Sequence, residues 1–306
     1  MANANKMIFD DVLRTIQERR PGLIVPLINE VFGTKYPLDI KVERLPEEYQ
    51  TMLSKVIMDS CNRIGNRIYH LECQSGPDGS MILRMIEYDF MIGMVSVKKQ
   101  EKHFMMKMPQ SCVIYLRNST GGLEGHELEI EMADGTRGLY QVPVVRAQSY
   151  DLDEIFQKKL FILLPYYILR YERILVKTSD WNKDGNYYQT IKMQIVKEYE
   201  EILRRLEKEL EGDATGLFQD MVDLMRRVLE YTLRKQPEIK EGVLNAMGGN
   251  VLPLPSDALR EERVAGKKSV NMLVEKLIAA DRINDLLKST TDEAYQELLF
   301  KEFDIK

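Results

Sequence analysis

Residues Lys55–Gln74 read KVIMDSCNRIGNRIYHLECQ. Gly65-Asn66 lies between two β-branched and aromatic runs, a turn chemistry favoured in two-residue hairpin loops. With that loop as the pivot, Asp59 falls opposite Glu72. Side chains alternate between the faces of a strand, so Gln74 shares the face of Glu72. Like charges directly opposite one another destabilise a sheet. The pattern therefore calls for full solvation or for a cation between the two acids. Oxygen ligands of this kind suit Mg²⁺ or Mn²⁺, which bind through one or two carboxylates and keep several waters. The competing reading is a solvated hairpin with two unrelated acids, because a slip of one residue sends them to opposite faces.

Working outward, Ile8, Val12, Leu13 and Ile16 recur at helical spacing up to Pro21-Gly22, and Leu23–Phe32 reads as a second helix closed by Gly33. Ile40–Leu45 alternates as a strand, and Lys55–Cys61 and Arg67–Gln74 read as two more. Ser80 is placed to cap a helix from Met81 to about Val97. Ser111–Arg117 has strand character, and Glu127–Met132 and Gly138–Val145 flank a hairpin turn at Ala133-Asp134-Gly135-Thr136. Leu152–Glu172 reads as a helix. Beyond about residue 176 only helical patterns follow, over Tyr188–Glu211, Leu217–Lys235 and Asp257–Lys288. These patterns predict a mixed α/β domain over 1–176, with a small central sheet flanked by helices, and an all-helical C-terminal domain over 177–306. The boundary is drawn near Lys177–Gly185, where Ser, Asp, Asn and Gly cluster.

The chain has 306 residues, is 44% hydrophobic and 30% charged, and carries a formal charge of −5. That composition is globular and argues against holding nucleic acid through global charge. The charge is uneven: 22 basic and 23 acidic residues fall in 1–176, against 21 and 25 in 177–306. Three cysteines, none in a CxxC, make no disulfide framework and point to a reducing, cytoplasmic setting. No segment reads as a membrane span: the apolar run Leu160–Leu169 is too short and contains Pro165. Seven of the 17 methionines fall within Met81–Met108 and read as a soft core, with a Met-lined groove as the alternative.

The run Leu71-Glu72-Cys73-Gln74-Ser75-Gly76-Pro77-Asp78, followed by Arg84 and Tyr88, resembles the Rpn family of recombination-promoting nucleases and transposase-associated proteins, within the PD-(D/E)XK nuclease superfamily. Asp59 matches the family's metal-binding Asp, Glu72 the acid of its E-x-Q element, and Gln74 the residue that ends it. Asp10-Asp11-Val12-Leu13-Arg14 is similar to the D-x-x-(F/L)-(K/R) pattern near the family's N-terminus. Asp153–Leu160, running on to Leu164-Pro165-Tyr166, is similar to the helix closing the family core. The resemblance spans about residues 5–175. It implies a PD-(D/E)XK-like fold and a metal-dependent DNA endonuclease, with Asp59, Glu72 and Gln74 catalytic. It also implies Asp59 and Glu72 on Mg²⁺ or Mn²⁺, with Asp10 as a further ligand. The wider superfamily ends this element in Lys. Gln74 cannot serve as a base, so activation of water falls to the metal, with Gln74 orienting that water.

Other residues carry weaker signals. Arg84 and Tyr88 are four apart on one helix and share a face. They read as a phosphate contact with its support, or as a helix-to-sheet polar pair. Asp10 reads equally as a first-turn acid favoured by the helix dipole. Cys73 points away from the Glu72 face, although its backbone carbonyl is a further candidate metal ligand. His70 shares the Glu72 face, but hard cations rarely take imidazole. Lys98, Lys99, Lys102 and Lys107, with Arg117, face only Glu101 and form the candidate DNA-binding stripe or a solvated face. Three readings thus compete: a DNA endonuclease, a degenerate nuclease fold that binds DNA or protein, and a protein that oligomerises through helical segments such as Ile202–Leu210. DNA is the expected partner, and a membrane is not.

Overall fold

The structure, a computed structural model, describes residues 2–46, 48–50, 55–76, 78–101, 103–117, 125–178, 186–211 and 216–248, and short stretches between 272 and 303. The expected loop at Gly65-Asn66 closes a hairpin of β4 (Cys61–Ile64) and β5 (Arg67–Gln74). Ile64 pairs with Arg67 and Cys61 with His70, the register read from the sequence. Gly65 takes φ +61°, the positive angle wanted at the first position of a II′ turn, which a side chain would resist.

A six-stranded mixed sheet grows from this hairpin in the order β1-β4-β5-β8-β10-β9. Its other strands are β1 (Glu43–Arg44), β8 (Gln110–Tyr115), β9 (Gly125–Glu131) and β10 (Arg137–Arg146). β5 and β8 run parallel, as do β8 and β10, and the remaining pairs are antiparallel. Two two-stranded ribbons lie outside this sheet: β2 (Glu48–Gln50) with β3 (Lys55–Ile57), and β6 (Lys98–Lys99) with β7 (Phe104–Met105).

Each face of β5 has its own cover. Ile68 joins a cluster with Met58, Cys61 and Ile92, in which Ile92 belongs to α3 (Met81–Val95). Met81 and Met85 of the same helix pack on Val113, Tyr115 and Val142 of the central strands. Here the soft-core reading of the methionines holds, while Met94 and Met108 are exposed. The other face meets α1 (Ala2–Arg19), α2 (Val25–Phe32) and a 3₁₀ segment, Phe161–Tyr171. Tyr69 packs there on Phe32 and Tyr36, and Asn62 donates to Gln17 at 2.9 Å. Gly33 closes α2 in the left-handed conformation, as expected.

Several elements differ from the sequence reading. The strand expected over Ile40–Leu45 is only Glu43–Arg44. The one expected over Lys55–Cys61 is two strands, interrupted at Met58–Ser60. Ser80 makes no side-chain cap; its hydroxyl and N–H both donate to Asp78, at 2.7 and 2.9 Å. The helix expected over Leu152–Glu172 is three pieces: α4 (Leu152–Gln157), the 3₁₀ segment, and α5 (Glu172–Thr178). Lys159, at φ +54°, lies just past the end of α4 and stops the helix from continuing, and Pro165 lacks the N–H that an α-helix there would need. Asp151 starts α4 with a reciprocal capping box to Glu154, at 2.8 and 3.0 Å. Asp151→Ala is expected to cost about 1 kcal/mol of stability, read by denaturant titration.

The helices α6 (Asn186–Glu209), α7 (Leu217–Thr232) and α8 (Pro237–Met247) follow, the last unforeseen in the sequence. Contacts divide the chain into Met1–Leu252 and Pro253–Lys306, whereas the composition shift lies near Lys177–Gly185. Within the first unit, Arg20 bridges to Asp220 at 2.6 Å, Arg205 to Asp153 at 2.6 Å, and Tyr231 meets Phe9 edge-on. Of the apolar positions in Ile202–Leu210 read as a partner helix, Ile202 and Leu206 are buried there, while Leu203 and Leu210 are partly exposed. Tyr188 is buried and Tyr187 exposed; Trp181, Lys102 and most of Asp257–Lys288 lie outside the described residues. In the second unit Leu273, Leu277 and Leu299 form a small core, and α9 (Glu293–Glu302) contributes Leu299. Among the described residues no helix is long and apolar enough to cross a membrane.

Candidate functional site

The interruption between β3 and β4 carries Asp59, and two side chains there replace ladder bonds. The Asp59 carboxylate accepts the N–H of Cys73 at 2.8 Å, and the Glu72 carboxylate accepts the N–H of Asp59 at 3.0 Å. Ser60 keeps one backbone bond, accepting from Leu71 at 3.0 Å. Buried backbone donors are thus satisfied by the acids themselves, and this reciprocal lock ties Asp59 to Glu72. Both side chains are buried. Asp59 therefore sits beside Glu72, as the hairpin register anticipated, but on a bend and not in a strand.

Gln74, two residues on, is also buried, and its Nε2 has no hydrogen-bond partner. A buried amide donor without a partner costs free energy unless a water or ligand meets it. Cys73 is buried on the opposite face, near Tyr166. In an extended strand the N–H and C=O of one residue point to the same edge. The Cys73 carbonyl consequently faces the Asp59 edge, beyond the end of β4.

The α3 face contributes more than the sequence foretold. His70 is fully buried, with Nδ1 at 2.6 Å from Asp89 and Nε2 at 3.1 Å from Glu72. Tyr140 donates to the other Asp89 oxygen at 2.5 Å. Burial disfavours a charged imidazole, yet the hydrogen bonds and negative charges of Asp89 and Glu72 outweigh it and push the His70 pKa up to about 9. Sequence reading missed Asp89. Its signal is a single acid in the apolar run Tyr88–Ile92, in line with the buried Met85 and Ile92.

Tyr88 is half-buried, its ring 5.9 Å from His70. Its phenol is pushed up by burial and then by the charge of Glu72, with Arg84 opposing and Asp59 adding to it. Arg84, partly exposed, reaches Asp78 at 3.4 Å and the Met81 sulfur at 3.1 Å. Tyr88 thus borders Glu72 and Asp59, and Arg84 lies between Tyr88 and Asp78. Asp10, half-buried, lies in the middle of α1 and not in its first turn; burial raises the Tyr166 phenol, and Cys73, Asp10, Asp59 and Asp11 push it further in that direction.

Lys98 and Lys99 lie exposed on β6, and Lys107 lies exposed just past β7. Arg117 is instead clasped by Glu172, with its Nη2 at 2.9 Å from that carboxylate, and it stacks over Phe9.

The donor set is oxygen-rich, which suits a hard cation better than a soft one. Among the described residues no three His, Cys, Asp or Glu side chains gather with metal-ligand spacing. Two carboxylates with a carbonyl and waters make a set that Mg²⁺ habitually takes. Comparisons with protein-family models, with curated proteins and with solved structures give no match.

Proposed function

We propose that the first unit is a PD-(D/E)XK-like nuclease core of the Rpn type, a Mg²⁺- or Mn²⁺-dependent DNA endonuclease acting in a cytoplasmic setting. The observation that carries this reading is the reciprocal lock between Asp59 and Glu72, beside an unpartnered Gln74 amide. Asp59, Glu72 and the Cys73 carbonyl would hold the metal, with Asp10 near by. When bound, such a metal polarises a phosphodiester and lowers the pKa of a coordinated water. Gln74 donates its amide N–H to orient the attacking water, and it takes no proton itself. Arg84 contacts a phosphate, and Tyr88 supports it.

The deciding experiment is plasmid cleavage with and without Mg²⁺, comparing wild type with Glu72→Ala. Cleavage that needs both Mg²⁺ and Glu72 supports the reading. Cleavage that persists without either contradicts it.

DNA is held locally, through Lys98, Lys99, Lys102 and Lys107. Replacing Lys98, Lys99 and Lys107 together by Ala is expected to reduce the slope of log affinity against log salt by about 2–3, at ~0.9 per lost phosphate contact. Fluorescence anisotropy of a DNA duplex across a KCl series measures this, and an unchanged slope contradicts the assignment.

A second reading has its own support. Gln stands where a Lys base is usual, and His70 already occupies one Glu72 oxygen. A catalytically silent fold that binds DNA or a protein would show salt-sensitive DNA binding, with thermal stability indifferent to Mg²⁺ and Mn²⁺.

A further inference from the structure

We propose that His70, clamped by Asp89 and Tyr140, is a positioning residue that sets which oxygen of Glu72 faces a metal. The inference rests on the nuclease reading above. Glu72 Oε1 is engaged twice, by the Asp59 N–H at 3.0 Å and by His70 Nε2 at 3.1 Å. Among the described residues no hydrogen bond reaches Oε2. The carboxylate therefore has an inner oxygen committed to the protein and an outer oxygen left for a ligand.

A Glu side chain has three rotatable bonds, and ordering it has an entropic cost that a floating carboxylate would pay on binding metal. Here that ordering is built in. His70 cannot turn, because Asp89 fixes its Nδ1 at 2.6 Å, and Asp89 cannot turn because Tyr140 holds its second oxygen at 2.5 Å. The line crosses three elements: Tyr140 comes from β10, Asp89 from α3, and His70 and Glu72 from β5. His70 and Asp89 are fully buried, so water does not compete for these bonds. Both ring nitrogens face carboxylate oxygens. His70 is thus already spoken for and is no metal ligand. The Asp59 N–H completes the arrangement, because the oxygen His70 selects is also the one that ties Glu72 to Asp59.

Outer partners that orient a metal ligand typically contribute 10–100-fold in metal affinity. The test measures Mn²⁺ binding to the full chain by calorimetry, alongside the Mg²⁺ dependence of plasmid cleavage, for wild type, His70→Gln, Asp89→Asn and Tyr140→Phe. His70→Gln retains an amide donor for Glu72 and should be the milder change at that position, with His70→Ala the more severe. Asp89→Asn is expected to weaken Mn²⁺ binding about 10–100-fold. Cleavage should recover at saturating metal, and DNA affinity without metal should be unchanged. Tyr140→Phe removes only a hydroxyl, so it tests the line even where the inner variants fail to fold. It should weaken Mn²⁺ binding in the same direction and by less than Asp89→Asn. Folded variants with wild-type Mn²⁺ affinity would overturn this inference and leave the nuclease reading standing. A wild-type protein that neither binds Mn²⁺ nor cleaves would overturn both.

Discussion

Glu72→Gln is expected to lower Mg²⁺-dependent cleavage at least about a thousandfold, equivalent to ~4 kcal/mol of transition-state stabilisation, while leaving the protein folded. The two oxygens of Glu72 have separable roles. Oε1 of Glu72 serves the structure, accepting from the Asp59 N–H and facing His70. A glutamine keeps the length and one acceptor oxygen for those contacts. It loses the negative charge that a hard cation requires. Asp59→Asn works the same way, since an amide oxygen still accepts the Cys73 N–H. Alanine at either position is a blunter tool, because it also strands a buried donor at a cost of about 1–3 kcal/mol. The experiment pairs single-turnover cleavage with thermal unfolding for Asp59→Asn, Glu72→Gln and the double variant. Cleavage retained by a pure, folded double variant would sink the assignment of these acids.

The second large effect concerns stability against pH in the metal-free protein. His70 has its pKa raised from 6.5 to about 9, burial opposing the charge and the two carboxylates overcoming it. The folded state therefore holds a proton that the unfolded state releases between these values. The stabilisation from this ring is fully present below about pH 6.5 and is lost as pH rises through about 9. A shift of this size corresponds to a loss on the order of 3 kcal/mol. Urea titrations in EDTA, from about pH 6 to about pH 10, should show stability falling across that window. His70→Gln should flatten the decline. A wild-type profile that stays level between those values would contradict the charged, doubly bonded imidazole.

Much of the site was legible in the sequence because it rests on local rules. The Gly65-Asn66 turn chooses a register, alternation assigns faces, and those two facts together put Asp59 beside Glu72 and His70 on the face of Glu72. The turn at Gly135, the Gly33 helix end and most of the helical spans are local in the same sense. Long-range satisfaction of buried groups was not legible. Asp59 leaves the strand because carboxylates replace ladder bonds, and no propensity encodes that exchange. Ser80 yields its capping role to a bond with Asp78. Arg117 pairs with Glu172, far along the chain.

Asp89 marks the division most clearly. By itself the sequence determined that an acid interrupts an apolar helix, and that a histidine sits two residues before Glu72 on the same face. Only the packing of α3 against β5 and β10 decided that these groups meet, with Tyr140 behind them. The physical reason is that hydrogen bonding acts over about 3 Å. Residues 19 and 51 positions apart in sequence come within that reach only once the sheet and its covering helix have closed.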